Sequence, residues 1–140
     1  MEVQQPSKMT LVTVPDYHLD PGSDRILIMG SFRTTQNFQD SIGAYWPKPN
    51  VTVYSASGKE PENLDWLFYN SKIVDTIFVA PTDTWEYTWP IISTSSAKLF
   101  FVIANGPNHG YLRDSLKLTY PGRLFNTEEE AVLAAASAST

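Results

Sequence analysis

The chain contains no cysteine, which excludes disulfides, thiolate metal sites and a cysteine nucleophile. Histidine is nearly as scarce, and His18 and His109 stand too far apart in sequence to form a local metal motif. No apolar run reaches ten residues, whereas a helix needs about 20 to cross a bilayer. The opening MEVQQPSKM lacks the hydrophobic core of a signal peptide, so the cytoplasm is the expected location. Positive charge is also in short supply: 10 Lys+Arg stand against 15 Asp+Glu, for a net charge of −5, and no basic cluster exceeds a pair. A nucleic acid or an anionic membrane surface needs a concentrated positive field, so neither is expected as a partner. A single phosphate needs only one or two well-placed donors, which leaves a mononucleotide open.

What is present suits one globular domain: 140 residues, of which 42% are apolar and 18% charged. Residues 1–24 read as an N-terminal extension in which 10–14 (TLVTV) forms an edge strand ended by Pro15. The domain itself spans 25–140. Its first apolar run, Ile26 to Met29, leads straight into Gly30, Ser31 and Arg33, as a buried strand does when it ends in a polar loop. Further strands are predicted at 51–55, 73–79, 98–104 and 123–125, from β-branched and aromatic runs closed by turn residues.

Between these strands the spacing turns helical. Phe38, Ile42 and Tyr45 predict one face of a helix over 35–45, and Leu64, Leu67 and Phe68 predict the inward face of another over 62–71. Pro90 suits a first helical turn, so a third helix is expected from about 88, with a short fourth over 111–116. The acids 128–130 open an alanine-rich terminal helix where the helix dipole favours them. Alternating strands and helices predict an α/β fold, a Rossmann-like (flavodoxin-like) five-stranded parallel sheet with helices on both faces. Ligands of such sheets bind outside the carboxyl ends of the strands. That rule gathers the loops 30–35, 55–60, 81–88 and 105–111.

In the first of these loops, a glycine turn leading into a helix start points backbone N–H groups at one spot, which favours a phosphate. The plainer account is a tight turn with a surface arginine. No second glycine follows at dinucleotide spacing, so the loop suits one nucleotide rather than NAD. Glu86 lies between Trp85 and Tyr87 beside a helix start. Aromatic neighbours keep a carboxylate dry and a helix N-terminus keeps it ionised, which is what a carboxylate nucleophile needs. An exposed glutamate with a capping role accounts for the same residues. Asp65 reads as a water-facing position on an amphipathic helix. Trp85 is the best placed of the four tryptophans to stack on a base, and the others read as core or rim packing.

The run ILIMGSFRTT resembles the opening strand and loop of the 2'-deoxynucleoside 5'-phosphate N-hydrolases, in the nucleoside 2-deoxyribosyltransferase superfamily. NLDWL at 63–67 and the strand IVDTIFV followed by Pro81 and Thr82 are similar to further stretches of that family. The resemblance implies attack of a glutamate on the anomeric carbon of a deoxynucleotide or nucleoside, followed by hydrolysis or transfer, in the manner of a retaining glycosidase. By position it makes Glu86 the nucleophile, and Asp65, two residues after the place of the family's aspartate (Asn63 here), the other catalytic candidate. Gly30, Ser31, Phe32, Arg33 and Thr82 would hold the nucleotide, with Trp85 against the base. Ser115 corresponds to a serine that reaches a neighbouring subunit's site, which implies a homodimer or higher homo-oligomer. No cofactor and no metal are implied. A second alignment puts Thr88 in the nucleophile's place, which turns the domain into a nucleotide-binding or sensing module. A NAD-type glycohydrolase and a partner-binding protein are the other open readings.

Overall fold

Strand β1, Asp24–Gly30, is buried from Ile26 onward, and its alternating side chains feed two separate cores. Ile26 and Ile28 pack with Phe38, Ile42 and Trp46 and with Ala131, Val132 and Ala135. Leu27 and Met29 face the other way, onto Leu67, Ile92 and Leu116. This alternation is what a strand covered on both faces requires. In the computed structural model the described residues are 24–46, 49–55, 63–82, 85–103 and 110–139. They form β1, α1 (Phe32–Tyr45), β2 (Pro49–Ser55), α2 (Leu64–Ile73), β3 (Thr76–Val79), α3 (Trp85–Ile92), β4 (Lys98–Val102), α4 (Gly110–Thr119), β5 (Leu124–Phe125) and α5 (Glu128–Ser139). All four strand pairings are parallel, in the order β2-β1-β3-β4-β5. That order is flavodoxin-like, so the expected α/β fold is the one observed.

The α1 and α5 helices cover one face of the sheet, and α2, α3 and α4 cover the other. Phe78 sits at the centre of the first core, its ring centroid 5.2 Å from Phe38 and 5.6 Å from Phe100. Burying a phenylalanine completely is worth about 1.5–3 kcal/mol, and Phe78 is fully buried. Among the described residues no helix is long and apolar enough to cross a membrane.

Several boundaries differ from the sequence expectation, each for a local reason. Helix α1 begins at Phe32 rather than 35, because Ser31 caps it: the Thr34 N–H donates to Ser31 Oγ at 3.3 Å. Tyr45, expected inward, is exposed, and Trp46 takes its place in the core. The Tyr45 hydroxyl donates to Glu129 at 2.6 Å, and that hydrogen bond and charge hold the phenol above its ordinary value. Phe68 is likewise exposed, since Leu67, Asn70 and Ser71 form the buried side of α2. Strand β3 starts at Thr76 because Ile73 still belongs to α2 and Asp75 is tied to Arg25. The Arg25 N–H donates to Asp75 Oδ2 at 3.0 Å, and the Asp75 N–H donates to the Arg25 carbonyl at 2.9 Å.

The largest displacement is in α3, which starts at Trp85 and carries Pro90 in its interior. Proline has no N–H to return to the Glu86 carbonyl, a loss more easily borne in so short a helix with an exposed outer side. Helix α4 runs longer than expected, and α5 is capped by Thr127, whose Oγ1 accepts from the Glu130 N–H at 3.2 Å. The edge strand expected at 10–14, and His18 and His109, lie outside the described residues.

Candidate functional site

A parallel sheet with returning helices puts the start of every helix at the carboxyl ends of the strands. Strands β1 and β3 are neighbours, yet α1 leaves β1 for one face while α3 leaves β3 for the other. The gap between such strands is the switch point where ligands bind. Gly30 ends β1 there because nothing larger fits easily. A Cβ at this position would come within 3.3 Å of both Ala80 Cβ and Thr34 Cγ2.

The first turn of α1 follows immediately. Ser31 Oγ accepts from the Thr34 N–H and its hydroxyl donates to Thr34 Oγ1 at 2.9 Å, so Ser31 is committed as the cap. The N–H groups of Phe32 and Arg33 have no partner among the described residues. No carboxylate occupies this first turn. The side chains of Ser31, Phe32 and Arg33 are all exposed. Two N–H groups without a partner among the described residues, the positive end of the helix dipole and an exposed guanidinium are features that favour an anionic group.

Beside the start of α3, the carboxyl ends of β1, β2 and β3 leave a pit lined by Gly30, Tyr54, Thr82, Trp85 and Thr88 among others, with a volume of about 10 Å³. That is room for roughly one water. A wider recess of about 180 Å³ lies on the α1 and α5 face, where Thr34, Asn126 and Glu128 contribute. The two recesses share Ala80 and Pro81. Trp85 lies against Trp89, with ring centroids 4.9 Å apart and planes within 18°, so one face of its indole is already covered.

Two α3 side chains reach the pit, Trp85 and Thr88, and Thr88 is the buried one, only 4% exposed. Glu86 stands on the first turn of the same helix, exposed, and lines neither recess. The dry surroundings expected for Glu86 are not formed: Tyr87 is 53% exposed and Trp85 turns into the aromatic cluster instead. Asp65 is exposed on the first turn of α2, as an amphipathic-helix position would be. Ser115 is exposed on α4 and also lines neither recess. Gly30, Thr82 and Trp85 therefore meet at the pit. Ser31, Phe32 and Arg33 follow Gly30 in the chain with exposed side chains that line neither recess, and neither do Glu86, Asp65 and Ser115 elsewhere.

Of the polar lining residues, Tyr54 stood outside the site read from the sequence, and Thr88 entered it only through the second alignment. The signal for Thr88 was its spacing of four from Ile92, which gives α3 its buried side. Among the described residues no group of three or more His, Asp or Glu side chains is placed to hold a metal ion. Comparison with protein-family models, curated proteins and solved structures returned no match.

Proposed function

We propose that the crevice binds a small nucleotide by its phosphate and does not cleave it, so that the chain acts as a nucleotide-sensing or sequestering module of deoxyribosyltransferase type. The observation that carries this reading is the position of Thr88: the buried α3 side chain at the pit is a neutral hydroxyl, and the carboxylate two residues earlier is exposed. The N–H groups of Phe32 and Arg33, without partners among the described residues at the carboxylate-free start of α1, support the phosphate seat. The ligand's sugar and base would rest over the pit, beside Trp85. An exposed Ser115 suits a contact with a second copy in a homodimer, and a free nucleotide pool suits the cytoplasm.

The test is a panel of deoxynucleoside monophosphates, read by thermal shift and by chromatography for free base. A ligand at 100 times its Kd adds about 2.7 kcal/mol of stability, so a clear rise in Tm with no release of base is expected. Base release that disappears in Glu86→Gln would replace this reading with the glutamate-nucleophile one. Absence of both release and shift with every nucleotide would remove the crevice from the account.

A further inference from the structure

The opposite end of the sheet carries a second feature, independent of the nucleotide reading. A cleft of about 410 Å³ opens at the amino-terminal ends of β4 and β5, between the turn after α3 and the end of α4. That volume falls within the ~300–1,000 Å³ range of small-molecule sites. Ser96, Lys98, Thr119, Tyr120 and Arg123 supply its polar lining, and no carboxylate contributes. In a chain of net charge −5 this is a local reversal of sign. The groove of about 360 Å³ between α1 and α5 shows the contrast, with Asp40, Glu128 and Glu129 on its walls and no cation.

Cations near helix ends ordinarily serve the unpaired carbonyls of the last turn. Here the backbone already meets several of those carbonyls. The Ser93 N–H donates to Trp89, the Ser95 N–H to Ile92 and the Tyr120 N–H to Leu116. The Lys98 ammonium has no partner among the described residues. Arg123 is held in place, donating to the Leu99 carbonyl at 3.2 Å with its guanidinium 4.8 Å over the Phe100 ring. One guanidinium hydrogen bond leaves most of the donor fork for a ligand.

We propose that this cleft is a second binding site, for a small organic anion bearing carboxylate or phosphate groups, gripped by Lys98 and Arg123 with the hydroxyls of Ser96 and Tyr120 beside them. Tyr120 packs edge-on against Trp89 at 6.0 Å, so the indole N–H resonance of Trp89 reports on the cleft.

The experiment is an NMR titration of the full chain with citrate and, separately, with inorganic phosphate, each at ionic strength held constant with sodium chloride. Saturable shifts confined to residues 95–99 and 119–123 and to the Trp89 indole are expected with at least one of the two, and which one saturates identifies the preferred anionic group. Lys98→Glu is expected to raise the fitted Kd at least tenfold. Ser96→Asp, which adds a carboxylate to the lining without touching Lys98, is expected to do the same. Shifts that grow linearly with both anions, that match those from chloride alone, or that survive both substitutions would overturn the proposal.

Discussion

Helices α1 and α3 start beside one another at the carboxyl ends of adjacent strands, yet they begin in opposite ways. The first follows Gly30 with a serine cap, no acid in its first turn and two N–H groups without a described partner. The second begins Trp85, Glu86, so a carboxylate already stands at the positive end of its dipole. A helix start that carries its own negative charge is a poor seat for another anion, whereas one left bare is a good seat. Under the proposed nucleotide reading, the difference assigns the ligand's charge to the α1 half of the crevice. It leaves the α3 half to supply the apolar wall of Trp85 and the hydroxyl of Thr88.

Three substitutions test that contrast. The strongest expected effect is from Gly30→Val, which forces branched carbon into the space occupied by Ala80 and Thr34. Overpacking of this kind costs about 1–3 kcal/mol, so a lowered urea midpoint is expected together with loss of the nucleotide-induced thermal shift. Arg33→Ala should leave stability within about 0.5 kcal/mol, as for other exposed positions, while titration calorimetry shows nucleotide affinity reduced roughly tenfold, about 1.4 kcal/mol. Unchanged affinity would mean that the bare start of α1 is not the seat. The smallest effect belongs to Glu86→Gln, expected to lower stability by about 0.3–1 kcal/mol through loss of a favourable charge–dipole interaction. Its ligand affinity should be unchanged; a marked loss would erase the distinction between the two helix starts.

The sheet was legible because buried parallel strands announce themselves as unbroken apolar runs, and Ile26–Met29 and Leu99–Val102 are such runs. Helix faces were harder to read. Leu67 is buried as its spacing predicts, but Phe68 and Tyr45, with the same apolar character, are exposed, and Trp46 rather than Tyr45 enters the core, because periodicity alone cannot rank neighbouring candidates. The start of α3 was misread because proline favours a first turn in general, while here the stacking of Trp85 on Trp89 and the bond from the Trp85 N–H to the Thr82 carbonyl carry the helix back to residue 85. That shift also turned Thr88 rather than Glu86 inward, a rotation that spacing from Pro81 could not fix. Ser31 was read as a ligand contact, although capping employs its hydroxyl first.

The pairing of Trp85 with Trp89 has an optical consequence. Two indoles 4.9 Å apart share their electronic transitions, and one of them borders the pit while the other touches Tyr120 above the cationic cleft. The folded chain therefore carries an intrinsic chromophore dimer, whose circular dichroism and emission are the dye-free signals with which to test the two proposed sites.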